Sequence, residues 1–166
     1  MSYKDGYKIR KEYGNDAESV FLRYCRDQNI PYGKFGVEPY LEDRKIEYSH
    51  PLYYQMDNRL KKQPDYIIWD DQMAFVEIKA SGIDDNNNYV LRIKEEDVNG
   101  YSYWNIFNPV YIFIAYNYNK KYILVNLNKI IQEMKKVEQM TYPHNYLNYR
   151  TIQIDKLKEY DRITLL

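Results

Sequence analysis

The stretch Pro64-Asp65-Tyr66-Ile67-Ile68-Trp69-Asp70-Asp71-Gln72-Met73-Ala74-Phe75-Val76-Glu77-Ile78-Lys79 decides how the rest of this chain is read. Two short apolar runs, Tyr66 to Trp69 and Ala74 to Ile78, flank a polar turn of Asp70, Asp71 and Gln72, the pattern of a β-hairpin. Side chains alternate along a strand, so Glu77 and Lys79 leave one face together while Val76 and Ile78 leave the other. What stands opposite that acid and base depends on register. With an odd number of loop residues, such as 70–72, Asp65 lies across from Glu77 on the same face, whereas a two-residue loop sends it to the opposite face.

Upstream, Arg59, Lys61 and Lys62 form a basic run just before Pro64, read either as a solvated turn or as a phosphate contact for nucleic acid. Residues 32–60 hold glycines at 33 and 36, prolines at 39 and 51, and an acidic group of Glu38, Glu42, Asp43 and Glu47. A strand, a loop and a short helix are expected there, with His50 a surface or hydrogen-bonded residue. A helix is expected from Asn15 or Asp16, where a capping side chain precedes Ala17, Val20, Phe21, Tyr24 and Cys25 at helical spacing, and it should end near Asn29 before Pro31. Glu18 falls in the first turn of that helix, where the dipole favours a carboxylate whatever its further role. Residues 1–11 show little periodicity and read as an irregular lead-in.

Downstream, Ser81 to Asn88 is a polar loop by composition, and Tyr89 to Ile93 reads as a further strand that would bring Arg92 or Lys94 towards the hairpin. A helix is expected from Lys94, with Val98, Tyr101, Ile106 and either Tyr103 or Trp104 on its buried side and Gly100 weakening it. Glu95, Glu96 and Asp97 suit its first turn. After Asn108 and Pro109, Val110 to Tyr116 is the most continuous apolar run and reads as a central strand, joined by Asn117 to Lys120 to a partner at Tyr122 to Val125. Leu127, Ile130, Ile131, Met134 and Val137 mark an amphipathic covering helix. A strand at Thr151 to Ile154 and a turn of helix from Asp155 close the chain.

The 166 residues are enough for one domain, 1–166, with its own core. A single cysteine, Cys25, rules out an internal disulfide framework and points to a packed thiol in a reducing compartment. No apolar run approaches the roughly 20 residues of a membrane span, and the N-terminus is too polar for a secretory signal, so a soluble cytoplasmic protein is expected. Lys and Arg number 24, matching 24 Asp and Glu, which excludes holding nucleic acid by bulk positive charge and leaves only local patches for it. The 21 tyrosines accompany abundant Asn, Lys and Ile, a bias that AT-rich coding produces, so their number is no sign of base stacking. There is no Gly-rich phosphate loop and no Cys/His cluster with zinc spacing.

Asp65 and Glu77 on neighbouring strands, with a backbone carbonyl such as that of Ile78, form a hard oxygen donor set. Magnesium is usually held by one or two carboxylates plus waters and substrate phosphate. Such an ion supplies what phosphodiester hydrolysis needs, an activated water and neutralised phosphoryl charge. Lys79 would orient or deprotonate the water, or stabilise the developing negative charge. The plainer alternative leaves Asp65 and Lys79 in solvent at strand ends, with Glu77 paired to Lys79 or Lys61. Charges that interrupt apolar strands, however, are costly without compensation.

Pro64-Asp65, eleven intervening residues, then Glu77-Ile78-Lys79 resembles the motif of the PD-(D/E)xK nuclease superfamily, its proline included. The resemblance implies an α/β fold with a restriction-endonuclease-like core, a central mixed β-sheet flanked by helices. It implies the order acidic helix, Asp strand, Glu-x-Lys strand, helix and further strands, which residues 12–116 follow. It implies Asp65 and Glu77 as metal ligands with the Ile78 carbonyl, Lys79 as the residue that handles water, and Glu18 as the acid of the first helix, acting on the metal directly or through water. The arrangement resembles small stand-alone members such as the archaeal Holliday-junction resolvases and VRR-type nucleases. That implies a Mg²⁺- or Mn²⁺-dependent endonuclease acting on DNA, branched or structured DNA included. Cutting two strands requires two sites, hence a homodimer. The second reading is a catalytically silent nuclease-fold adaptor or inhibitor that binds a protein partner, which zero net charge and the acidic stretch from Glu38 to Glu47 would suit.

Overall fold

The computed structural model describes residues 3–36, 51, 55–117, 120–141 and 147–161, with the backbone alone for 3–13 and 15. His50 and the acidic group Glu38, Glu42, Asp43 and Glu47 lie outside the described residues. The chain begins with α1 (Tyr3–Asp27), followed by β1 (Tyr32–Lys34), the short α2 (Asn58–Lys61), β2 (Tyr66–Trp69) and β3 (Met73–Ala80). Next come β4 (Gly82–Ile83), β5 (Tyr89–Lys94), α3 (Glu95–Trp104), β6 (Val110–Tyr116) and β7 (Lys121–Asn126). The rest is α4 (Leu127–Met134), β8 (Gln139–Thr141), β9 (Asn148–Gln153), α5 (Ile154–Leu157) and one 3₁₀ turn.

The first sheet has the order β1-β2-β3-β6-β7, mixed because β3 and β6 run parallel while the other neighbours are antiparallel. Both of its faces are covered, which is why β6 reads as one apolar run. Tyr66, Ile68, Ala74, Val76, Phe113, Ala115 and Leu124 pack under α1 against Ala17, Phe21, Tyr24 and Cys25. On the opposite face, Phe75, Ile112, Ile114 and Val125 pack with Val98 and Tyr101 of α3, Ile130 of α4, Leu157 of α5, and Leu91, Ile93 and Ile152 of a second sheet. That second sheet, β4-β5-β9-β8, is antiparallel throughout. The free edge of β7 is closed by Asp161, whose Oδ1 accepts the Leu124 N–H at 3.0 Å. Among the described residues no helix is long and apolar enough to cross a membrane.

Four expectations change. The lead-in segment is helical: α1 starts at Tyr3, not at Asn15 or Asp16. The segment lacks proline and is rich in Lys and Arg, good helix formers that outweigh the ~1 kcal/mol cost each of Gly6 and Gly14. Glu18 is therefore well inside the helix, away from any dipole end that would account for it. Ile106 is 76% exposed instead of buried, because α3 stops at Trp104. Gly100 is a requirement where it read as a weakness, since a Cβ there would stand 2.3 Å from Cβ of Lys62. The strand Tyr89 to Lys94 joins the second sheet, where Arg92 donates to the Ile83 carbonyl at 2.9 Å.

Candidate active site

The β2–β3 hairpin turns through Asp70, Asp71 and Gln72, with Trp69 paired to Met73 and Tyr66 to Val76. This is the odd loop, and carrying the register one pair further sets Asp65 against Glu77. Both then continue the face of Ile67 and Phe75, the side covered by α3. The ladder ends at Tyr66 and Val76, so the β2-side edge of β3 is open from Glu77 onward. Asp65 fills the opening, its Oδ2 accepting the Ile78 N–H at 2.8 Å. A residue's N–H and C=O leave the same edge of a strand, which turns the Ile78 carbonyl towards the same opening.

Glu77 is only 5% exposed. Its Oε1 is paired with Lys79 Nζ at 2.5 Å and accepts the Tyr101 hydroxyl at 2.6 Å. Lys79 in turn lies over the Tyr101 ring, 5.7 Å from its centroid. Burial alone would lower the Lys79 pKa, but Glu77, Asp97 and Asp65 outweigh it and hold the ammonium above the ordinary lysine value. Burial, reinforced by the Glu77 and Asp97 carboxylates, pushes the Tyr101 phenol well above its usual range. The alternative pairing of Glu77 with Lys79 is thus realised, but in a buried cluster with a tyrosine and not at solvent-washed strand ends.

Two clefts adjoin at Asp65 and Phe35. One, of about 220 Å³, is lined by Asp65, Glu77, Lys79, Asp97 and Tyr101 with Lys61, Lys62 and Gln63. The other, of about 250 Å³, is lined by Glu18, Lys34, Asp65, Tyr66 and Ile78. Glu18 comes from α1 on the far face of the sheet, so the sheet separates it from Glu77 and Lys79, and of the proposed site's carboxylates Asp65 is the one that lines both clefts. Glu18 accepts the Tyr66 hydroxyl at 2.5 Å and pairs with Lys34 at 3.5 Å. Burial and Glu18 together raise the Tyr66 pKa.

Of the basic run, Lys61 and Lys62 line the cleft with Glu77. Lys62 is committed to Asp97 at 2.5 Å and Glu96 at 3.2 Å, which hold its pKa up against burial. Arg59 lies over the Tyr103 ring at 5.1 Å. Arg92 and Lys94 line neither cleft.

By sequence Tyr101 reads only as core and Asp97 only as a helix-dipole acid, and Lys34 and Gln63 carry no signal. Asp97 and Tyr101 are four residues apart on α3 and therefore share a helix face, the one signal that links them. The Gln63 Oε1 is buried with no hydrogen-bond partner and sits on the cleft wall.

The donors here are carboxylates, a backbone carbonyl and an amide oxygen, which suits a hard cation such as Mg²⁺ or Mn²⁺ and no soft metal. Among the described residues no three His, Cys, Asp or Glu side chains cluster as a metal cage.

By sequence, no family model matches the chain and no curated protein does. By structure, it is similar to Hjc, a Holliday junction resolvase from the archaeal hyperthermophile Archaeoglobus fulgidus, with TM-score 0.54 and 8% identity over 92% of this chain and 93% of that one. It is also similar to D212, a nuclease from a fusselovirus, with TM-score 0.51 and 11% identity over 99% of this chain and 90% of that one. A mixed sheet between helices, with the Asp and Glu-x-Lys strands adjacent and antiparallel, thus matches solved nucleases over nearly its whole length, and the chain has the restriction-endonuclease-like fold.

Proposed function

We propose that this protein is a divalent-metal-dependent endonuclease that hydrolyses phosphodiester bonds in DNA. The observation that carries the reading is the placement of Asp65 opposite Glu77 at the open edge of β3, with Lys79 beside Glu77 on the same face. Asp65, Glu77 and the Ile78 carbonyl would hold Mg²⁺ or Mn²⁺, with Glu18 reaching it through water from the neighbouring cleft. The ion, when bound, supplies an acidified water and neutralises phosphoryl charge.

The chain's own residues do the rest. Tyr101 and Lys79 both engage Oε1 of Glu77, which fixes the carboxylate's orientation. Lys79, held as an ammonium, serves as a hydrogen-bond donor towards negative charge building on the phosphoryl oxygens or on the attacking water. Lys61, which lines the cleft, is placed to contact substrate phosphate, with Arg59 on the adjoining surface.

Branched or otherwise structured DNA is the favoured substrate, because one similar fold belongs to a Holliday junction resolvase. Two cuts per branched substrate would need a symmetric homodimer. The test is incubation with plasmid, four-way junction and single strands, with and without Mg²⁺. Cleavage that requires the ion and disappears in Lys79→Ala is the expected result. Absence of any such cleavage, with a protein partner retained equally by the intact and Lys79→Ala forms, would favour the silent adaptor reading.

A further inference from the structure

From the wall of the cleft that holds Asp65, Glu77 and Lys79, aromatic rings lead outward in mutual contact. Phe35, on that wall, stacks on Phe75 with centroids 4.9 Å apart and meets Trp104 edge-on at 5.1 Å. Trp104 meets Tyr103 at 5.6 Å and Phe107 at 6.1 Å, and Tyr103 meets Phe107 at 5.4 Å. The series ends in solvent, with Phe107 58% exposed. Rings fixed by edge-to-face packing lose little freedom when something stacks on them.

Positive charge is set on the same surface. The Arg59 guanidinium lies over Tyr103, and the Trp104 indole N–H donates to the Arg59 carbonyl at 3.1 Å, which ties the basic segment to the rings. Asp57 pairs with Arg59 at 3.5 Å, but both side chains are more than half exposed, so the pair is weak and easily exchanged for a phosphate. Lys61, two residues on, lines the cleft itself.

We propose that this aromatic ridge is a platform on which unpaired nucleobases of the substrate stack beside the bond to be cut, with Arg59 and Lys61 contacting the adjoining phosphates. In duplex DNA both faces of a base are covered by its neighbours, so only unpaired or splayed bases can use such a platform, and the contact is indifferent to sequence because every base has a π-face. With no net charge to hold DNA electrostatically, stacking supplies affinity that the phosphate contacts lack. A second copy of the chain would cover the same rings, but cations beside them and their continuity with the cleft favour nucleic acid. The inference rests on the nuclease reading and narrows its substrate to DNA with unpaired nucleotides near the cut.

The experiment is fluorescence anisotropy in EDTA, where metal-dependent cleavage is off, with a labelled single strand, a forked duplex with unpaired arms, and a blunt duplex of common sequence. The first two should bind about tenfold or more tighter than the third. Phe107→Ala should erase that margin while leaving blunt-duplex binding unchanged, and Phe107→Trp should keep it. Phe107 is largely exposed, so neither substitution opens the core. Arg59→Ala should lower the salt dependence by about one ion. Equal wild-type affinity for all three, no binding to any, or a Phe107→Ala loss shared equally by all three overturns the proposal. So does a Phe107→Ala protein that falls from dimer to monomer in sedimentation while binding DNA as before, which would make the face a contact between copies. Failure of the nuclease reading shows separately, as Mg²⁺-dependent cleavage that is absent or indifferent to Lys79→Ala whatever the result in EDTA.

Discussion

Asp65 accepts the backbone N–H of Ile78 through Oδ2 at 2.8 Å, occupying the place where one more strand residue would have continued the β2–β3 ladder. On the proposed reading the side chain has a structural and a chemical use at once, and the two can be separated. Asp65→Asn keeps an oxygen for the amide but loses the charge that a cation needs. Thermal melting should change by no more than a few degrees, while Mg²⁺-dependent cleavage should fall about 10²-fold or more. Near-wild-type cleavage by this variant would remove Asp65 from the proposed metal site.

Tyr101→Phe deletes one hydroxyl and keeps the ring. Glu77 is buried, and a hydrogen bond to a charged group contributes about 1.5–3 kcal/mol. Urea denaturation without divalent metal should show a loss of that size, and a variant as stable as wild type would mean that Lys79 alone satisfies the carboxylate.

Gly100 tests how closely the segment before Pro64 is pressed onto α3. An alanine gains about 1 kcal/mol of helix propensity, but its Cβ would stand 2.3 Å from Cβ of Lys62 and 3.2 Å from the Lys62 carbonyl. Overpacking of this kind typically costs about 1–3 kcal/mol. Gly100→Ala should therefore be destabilised overall, by up to about 2 kcal/mol in a denaturant melt, against the stabilisation that an exposed helical glycine would predict.

Burial pushes the Cys25 thiol up from 9.0 to about 12. The native thiol should resist alkylation by iodoacetamide at pH 8 and react only on unfolding. The sign for stability follows from linkage. Below pH 9 both states keep the proton and the contribution is fully present. Between about 9 and 12 only the unfolded state releases it, so stability should fall with rising pH through that window. Cys25→Ala should show a shallower alkaline decline in a pH series of melts.

Much of the site was legible because strand periodicity and the turn together constrain it. The spacing of Asp65, Glu77 and Lys79 allowed two outcomes, and the three-residue turn selected the one in which acid faces acid. Glu18 was legible as an acid on the first helix, but not its place: α1 packs on the opposite face of the sheet, so Glu18 shares a cleft with Asp65 and is held by Tyr66 and Lys34. The second sheet was hidden, since β4 and β8 are only two and three residues long and carry no alternation to detect. The aromatic ridge was hidden for the opposite reason, as tyrosines and phenylalanines are spread through the whole chain and only the fold brings Phe35, Trp104 and Phe107 into one line.

By itself the sequence determined which segments alternate, which run apolar through the centre, and that an Asp, a Glu and a Lys sit at the hairpin's polar positions. These are local properties, set by neighbours a few residues away. Tertiary structure alone decided that Tyr101 and Lys79 would meet on one oxygen of Glu77, that Lys62 would be taken by Asp97, and that the sheet would stand between Glu18 and the lysine. Apart from Lys79 beside Glu77, those contacts join residues far apart in the chain, and burial makes them strong by removing the water that would otherwise satisfy each group separately.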